Sequence, residues 1–493
     1  MAAAAPAKRP QSLGTTAVRG AISTVFWQSN RAVLQLVAVV VLSRLLAPHD
    51  VGLLAMVLAI TGFAELLRDF GLFTAAVQAK SLSPAQKSNL FWVNTGIGAS
   101  LTLIVFALSW PIALLYGEPD LVVITQWIAP TFLLNGIATQ FRAELNRRMR
   151  FNALSLSELV PQVAGLVVAV LVALQVPRYP ALIAQQLTVS MVGLLFVVLA
   201  AKWRPGLPSR KSGVRSLLRF GAGLVGTQSL AYVTKNIDNV SIGYVWGAAT
   251  LGIYGRSYQL IMMPLGQFTA PLSRVAIPVL VKLVDDTKAF SSYLLAGQSA
   301  TGLCSCTAYG LIIGLAEPFI TVALGDRWQG MVPIVQALAV GGIFRALGQV
   351  SFWIFIAKGL TGHQFRFYLM TQPMISLLMV AGLPWGGIGV AIGHSIAYVL
   401  FWFTQLWWVG RVASMDTRPL MWNGLTIFGA VAVPSIAISF AATLLIASPW
   451  LQLAVGTAVV VLVQGLILLL PGPRRQVTRL RALLRGRKIQ AAP

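Results

Sequence analysis

The sequence predicts an all-α protein that crosses a membrane many times, and three observations lead to this prediction. Of the 493 residues, 57% are hydrophobic and only 10% are charged, whereas roughly 25% of residues are charged in soluble domains. Apolar runs long enough to span a hydrocarbon core recur from residue 20 to residue 471. Basic residues are concentrated in alternate breaks between these runs, which is typical of membrane proteins with a fixed orientation.

Apolar runs bounded by Gly, Pro and charged residues predict about fourteen spanning helices. Both ends of each helix are predicted from the breaks alone. The predicted helices cover residues 20–45, 51–79, 88–115, 121–143, 152–175, 179–202, 214–245, 250–281, 290–316, 332–357, 366–384, 387–410, 422–447 and 451–471.

The distribution of basic residues predicts the orientation in the membrane. With the N-terminus in the cytoplasm, 28 Lys and Arg residues fall on the inner side, six lie within the helices, and three lie on the outer side, namely Arg44, Arg178 and Arg327. Because cytoplasmic loops collect Lys and Arg, both termini are predicted to be cytoplasmic. The same rule explains the net charge of +24, so we do not expect nucleic acid as a partner.

The order of the helices predicts two similar halves. A shift of 200 residues places Gln28 on Gln228 and Gly52 on Gly252, and transporters are commonly built from such repeats with the substrate site between them. The predicted segments are a cytoplasmic leader 1–19, a six-helix bundle 20–204, a cytoplasmic linker 205–221, a second six-helix bundle 222–410, two extra helices 411–471 and a basic cytoplasmic tail 472–493.

Nothing in the sequence predicts an enzyme, a metal site or a bound cofactor. The loops are short and contain no phosphate-binding GxxxxGK[ST] motif. Cys304 and Cys306 are two residues apart in an apolar helix, a spacing that fits neither a zinc site nor a redox pair. His49, His363 and His394 lie far apart along the chain. We therefore expect no catalytic residues.

Ionisable residues within the predicted helices indicate a polar cavity. Each costs a few kcal/mol when it faces lipid, so we expect these side chains to face one another or a wet cavity. Six cations and three anions give a surplus of three positive charges, which predicts a negatively charged substrate. The nine residues are Arg31, Glu65, Arg68, Asp69, Lys235, Asp238, Arg256, Arg274 and Arg345.

Roles for these residues follow from their charge and spacing. Glu65 and Asp238 are predicted to orient Arg68 and Lys235 one turn away, and Asp69 is predicted as a further partner or gate. Arg274 lies near the inner end of its helix, where it could instead extend to the membrane surface. Substrate binding is predicted for Arg31, Arg68, Lys235, Arg256, Arg274, Arg345, Gln28 and Gln228.

Nine stretches together resemble one known family. They read LSRLLAPHDVGLLAM (42–56), ELLRDFGLFTAAVQ (65–78), LFWVNTGIG (90–98), ELNRRMRF (144–151), LLRFGAGLVGTQ (217–228), KNIDNVSIGYVWG (235–247), LGIYGRSYQL (251–260), PLGQFTAPLSRVAIPVL (264–280) and GLPWGGIGVA (382–391). The chain thus resembles the bacterial polysaccharide exporters of the multidrug/oligosaccharidyl-lipid/polysaccharide (MOP) flippase superfamily. Within that branch it is most similar to the Wzx-type and colanic-acid-exporter-like flippases.

This resemblance implies two pseudo-symmetric bundles around a central cavity that opens alternately to either side. The implied substrate is an oligosaccharide on undecaprenyl diphosphate, moved from the inner to the outer leaflet of the bacterial inner membrane for surface or exopolysaccharide export. The implied partners are membrane lipids and the polysaccharide polymerase machinery. The resemblance leaves open whether transport is coupled to an ion gradient, through Asp69 or Asp238, or to the membrane potential.

Three other functions remain open from the sequence. A peptidoglycan-precursor lipid flippase or a multidrug exporter of the same superfamily has the same architecture. A drug exporter is expected to have a cavity dominated by carboxylates, whereas cations predominate here. A membrane glycosyltransferase or polymerase needs acidic catalytic residues or a long outer loop, for which the short GEPD loop (117–120) is a poor candidate.

Overall fold

The computed structural model describes residues 13–69, 72–78, 82–209 and 215–469. All regular structure within these residues is helical. The α-helices are α1 (Leu13–Leu45), α2 (Pro48–Asp69), α3 (Leu72–Gln78), α4 (Pro84–Tyr116), α5 (Asp120–Ile128), α6 (Pro130–Arg147), α7 (Phe151–Gln175), α8 (Pro180–Ala201), α9 (Arg215–Lys282), α10 (Thr287–Gly314), α11 (Ala316–Ala323), α12 (Met331–Leu347), α13 (Gln349–Ala357), α14 (Thr361–Ala381), α15 (Gly386–Val412), α16 (Arg418–Ile427), α17 (Val433–Leu445) and α18 (Pro449–Leu469).

Local sequence explains where many of these helices begin and end. Helices α2, α4, α6, α8 and α18 begin at a proline, whose fixed φ and missing N–H suit the first turn. Ser83 caps α4, because its hydroxyl accepts from the Gln86 amide at 3.1 Å and its own amide donates to the Gln86 side chain at 2.9 Å. Gly117 ends α4 in the left-handed conformation.

Helix α9 is two helices joined at Gly247. A straight helix of its 68 residues would be about 100 Å long, far beyond the roughly 30 Å hydrocarbon core. Gly247 has φ 77° and ψ −178°, values that only glycine adopts at low cost. The first part of α9, before Gly247, and the second part, after it, therefore correspond to the separate helices predicted at 214–245 and 250–281.

Ten helices in the described part of the chain are long and apolar enough to cross a membrane, or eleven if the bent pair α10 and α11 forms one span. The chain is therefore an all-helical, multi-pass membrane protein. One of the ten, Thr361–Val412, has 52 residues and is interrupted at Leu383–Trp385, so it covers two of the predicted helices. The exact number of fourteen and the positions of the termini stay predictions.

A reciprocal contact between two glycines brings α2 against the second part of α9. A Cβ on Gly52 would overlap the carbonyl group of Ala248, and a Cβ on Gly252 would overlap that of Pro48. The contact is symmetric with respect to the 200-residue shift, which relates position 52 to 252 and position 48 to 248. Only residues without a side chain allow the two backbones to approach this closely.

Hydrogen bonds join other segments at the same end of these helices. The guanidinium of Arg44, at the end of α1, donates to the Ala323 carbonyl at the end of α11 over 2.9 Å. The buried Trp328 indole donates to the Ser43 carbonyl at 2.7 Å. Since Arg44 and Ser43 lie in the first predicted half and their partners in the second, these bonds hold the two halves together beside the glycine contact.

Candidate functional site

A cavity of about 400 Å³ lies between α1, α2, α7, α8 and both parts of α9. One of its ends is formed by Val51 and Gly252, at the glycine contact. Its polar lining residues are Gln35, Gln162, Gln185, Gln186, Asn236, Asn239, Arg256, Tyr258 and Gln259. Helices from both predicted halves therefore contribute to one polar chamber among membrane-spanning helices.

Among the described residues, Arg256 is the charged residue that lines this cavity. Its Nη1 atom donates to Gln259 Oε1 over 2.9 Å. Its Nε atom is buried and, within the part of the chain that the structure describes, has no hydrogen-bond partner. No carboxylate is among the described residues that line the cavity. The guanidinium can therefore accept an anionic group, because unsatisfied donors in a region of low dielectric favour negative charge.

Arg31 pairs with a carboxylate that the count of charges in the sequence omitted. Its Nη1 atom lies 2.7 Å from Glu158 Oε2 of α7, and 58% of the Arg31 side chain is exposed. Glu158 lies within the predicted helix 152–175, so the surplus of positive charge inside the predicted helices is two rather than three. Arg31 is not among the cavity-lining residues.

The charges near the end of α2 lie apart from the cavity. Arg68 Nη1 is 4.0 Å from Glu65 Oε1, consistent with the partnership expected from their spacing. Neither side chain lines the cavity. The side chain of Asp69 lies outside the described residues.

Asp238 has a partner that sequence spacing did not indicate. Its carboxylate is buried and accepts from the Tyr254 hydroxyl at 2.8 Å. The ring of Tyr254 stacks with that of Tyr258, with centroids 6.3 Å apart. Tyr254 and Tyr258 are four residues apart on one face of α9, a spacing that could have suggested this stripe. The side chain of Lys235, the expected partner of Asp238, lies outside the described residues, as do those of Gln28 and Gln228.

Arg345 lies behind Tyr258 rather than on the cavity wall. Its guanidinium donates to the Tyr258 hydroxyl at 3.3 Å and lies 4.6 Å from the centre of the Tyr398 ring. Arg345 is absent from the cavity lining, whereas Tyr258 belongs to it. Arg274 is exposed and also lies off the cavity wall. Among the described cations for which the sequence predicts substrate binding, Arg256 is the one that lines the cavity.

These contacts predict that Arg345 contributes mainly to stability. We expect Arg345→Gln to lower the free energy of unfolding by about 1–3 kcal/mol, because it removes a cation–π contact and a hydrogen bond away from bulk water. Thermal unfolding followed by tryptophan fluorescence in detergent measures this effect. Arg411→Gln is the matched control, since Arg411 makes an exposed cation–π contact with Trp407. Equal melting temperatures for the two variants would contradict the prediction.

Comparison with known proteins gives the family. Residues 41–333 match the model of a family described as polysaccharide biosynthesis protein. The chain belongs to this polysaccharide biosynthesis family. It is 28% identical to the lipopolysaccharide biosynthesis protein WzxC of Escherichia coli K12, over 74% of this chain and 75% of that protein. It is 26% identical to the succinoglycan biosynthesis transport protein ExoT of Rhizobium meliloti, over 93% of this chain and 94% of that protein.

Solved structures show which fold this family member has. The lipid II flippase MurJ in an inward closed conformation superposes with a TM-score of 0.69, at 15% identity, over 90% of this chain and 97% of that one. An inward-facing multidrug resistance transporter of the MATE family, from the MOP superfamily, gives a TM-score of 0.59 at 13% identity, over 78% of this chain and 95% of that one. The predicted superfamily resemblance is thereby confirmed at the level of the fold.

Proposed function

We propose that this family member is a flippase that moves undecaprenyl-diphosphate-linked oligosaccharide from the inner to the outer leaflet of the bacterial inner membrane, for surface or exopolysaccharide export. The observation that carries the proposal is the polar cavity between the two predicted halves, with Arg256 in its wall. A diphosphate is the anion common to all such lipids, and guanidinium groups bind phosphate oxygens through two parallel hydrogen bonds. The names of the relatives, which include polysaccharide biosynthesis and transport, support this substrate class.

The proposed topology has fourteen spans, two six-helix bundles and both termini in the cytoplasm. The 28 basic residues assigned to the inner side support it. In this orientation the glycine contact of Gly52 and Gly252 lies toward the outer side. The outer end of the cavity is then closed in the present conformation.

Alternating access follows if the two bundles rock about the cavity. The lipid-linked sugar enters from the inner side, and its diphosphate is bound by Arg256. The glycine contact then separates, because it is the close backbone approach between the halves at the outer end. Lipid tails stay in the bilayer throughout, so that only the polar head group crosses within the protein. No bond is made or broken, and we propose no enzymatic step.

The composition of the cavity lining argues most directly against the alternative function of a multidrug exporter. Cationic drugs require carboxylates for recognition, and the described cavity lining contains an arginine but neither Asp nor Glu. A peptidoglycan-precursor lipid flippase has the same requirement for a phosphate-binding cation. Coupling to an ion gradient or to the membrane potential and an association with the polymerase machinery remain proposals taken from the family resemblance.

Reconstitution into liposomes tests the proposed function. A fluorescently labelled undecaprenyl-diphosphate saccharide is placed in the membrane, and its exposure in each leaflet is measured with a membrane-impermeant quencher. We expect the protein to accelerate exchange between leaflets well above the rate in protein-free liposomes. The variant Arg256→Gln, which neutralises the charged residue in the described cavity lining, is expected to lose most of this acceleration. Exchange at the protein-free rate, or accelerated export of a cationic dye such as ethidium instead, would contradict the proposal.

A further inference from the structure

The lining of the cavity is dominated by side-chain amides rather than by charge. Among the described residues, seven amides line it, four from the first predicted half and three from α9, beside a single guanidinium. They are Gln35, Gln162, Gln185, Gln186, Asn236, Asn239 and Gln259. A site that served only to hold a diphosphate would be expected to contain several Arg or Lys residues, because phosphate carries dense negative charge.

Most of these amides have no hydrogen-bond partner among the residues that the structure describes. Among the described residues, Gln259 accepts from Arg256 and Asn236 donates to the Tyr232 carbonyl at 3.0 Å. Within the same part of the chain, the side-chain amides of the remaining five make no hydrogen bond, and these are Gln35, Gln162, Gln185, Gln186 and Asn239. Polar groups in a membrane interior require partners, so these amides need water or a ligand that both donates and accepts.

Sugar hydroxyls match this lining. A carboxamide offers two donors and one accepting oxygen, and a hydroxyl offers one donor and two accepting lone pairs. Both groups are uncharged, so an amide binds a hydroxyl without the desolvation cost of an ion pair. Since the first sugar is bonded directly to the diphosphate, a diphosphate bound at Arg256 places that sugar among the surrounding amides.

We infer that this cavity is a saccharide-binding chamber, in which Gln162 and Gln186 and the neighbouring amides recognise the hydroxyl groups of the sugar next to the diphosphate. This inference rests on the proposed function. It adds that the cavity recognises the saccharide part of the substrate. Amides from α1, α7 and α8 line the same chamber as those of α9. A bound sugar therefore bridges the two halves, and substrates are distinguished by their hydroxyl groups at this position.

Binding of two probe lipids to the purified protein in nanodiscs tests the inference. The probes are undecaprenyl diphosphate carrying one glucose and bare undecaprenyl diphosphate. We expect the wild-type protein to bind the glucosylated lipid at least about tenfold more tightly, which a few added hydrogen bonds would give. The double variant Gln162→Leu, Gln186→Leu is expected to bind both lipids with the affinity of the bare one. Its retained affinity for the bare lipid also shows that it is folded.

A matched control has the same chemical change away from the cavity. Gln126 lies in α5, contacts Ser109 and does not line the chamber, so Gln126→Leu is expected to keep the tenfold preference. Equal wild-type affinity for the two lipids, or an equal loss for both lipids in the double variant, would overturn the saccharide chamber. Failure of the wild-type protein to bind either lipid would instead overturn the proposed function, and the inference with it.

Discussion

Replacing Arg256 with glutamine is expected to reduce transport of undecaprenyl-diphosphate saccharide by a factor of roughly 10 to 150. Loss of a charged hydrogen-bonding group costs about 1.5–3 kcal/mol of interaction with an anion, and every 1.4 kcal/mol is a factor of about ten. Arg256 is expected to dominate because it is the charged residue in the described cavity lining. The initial rate of leaflet exchange in proteoliposomes measures the effect.

Two further variants separate charge from geometry at this position. Arg256→Lys keeps the positive charge but loses the planar pair of donors, so its rate should fall between those of the wild type and Arg256→Gln. Arg274→Gln removes an equal charge from the same helix at an exposed position off the cavity wall and should retain most activity. If Arg274→Gln impairs transport as strongly as Arg256→Gln, the general positive charge of α9 is what matters and the assignment to Arg256 is wrong.

Adding a side chain at the glycine contact is expected to open the outer end of the cavity. A methyl group at Gly52 or Gly252 would meet a backbone carbonyl of the facing helix, which cannot move as a flexible side chain can. Overpacking of this kind costs about 1–3 kcal/mol, enough to shift a two-state equilibrium by a factor of roughly 5 to 150. Gly52→Ala and Gly252→Ala should therefore both favour the conformation in which the halves are separated at this end.

Thiol labelling measures this shift. Cys304 and Cys306 are first replaced by serine, and a reporter cysteine is introduced at Gln185, which lines the cavity. Gly52→Ala and Gly252→Ala should each increase labelling of this cysteine by a membrane-impermeant reagent added from the outer side. Gly255→Ala is the control, since Gly255 also lines the cavity on α9 but has open space where its Cβ would be. Unchanged labelling in both contact variants would show that the glycine contact is not a closure.

Much of the architecture could be read from the sequence, because the lipid environment imposes strong rules. A helix that crosses a bilayer must be long and apolar, so the predicted segments correspond closely to the observed helices. The break at Gly247 was also readable, because glycine acts through its own backbone. The predicted helix 121–143, in contrast, continued through Pro130, where the structure separates α5 from α6. The sequence also indicated that Gly52 and Gly252 occupy related positions, and the structure places them in one reciprocal contact.

The candidate site was only partly predictable. Sequence periodicity assigns a residue to a face of its helix, but it does not say which other helix covers that face. Arg345 and Arg256 were therefore equivalent in the sequence, although one is held between Tyr258 and Tyr398 and the other lines the cavity. Gln162 and Gln186 gave no signal at all, because an isolated amide in an apolar helix is as compatible with packing as with a binding site.

The sequence by itself determined that this protein is helical, lies in a membrane, and contains charges and glycines at defined positions along its helices. Only the tertiary structure decided which of them act together. Arg31 faces Glu158 across 127 positions of the chain, and the chamber combines amides from four helices. The physical reason is that helix formation depends on neighbours in the chain, whereas a cavity is formed by side chains that only the packing of distant helices brings together.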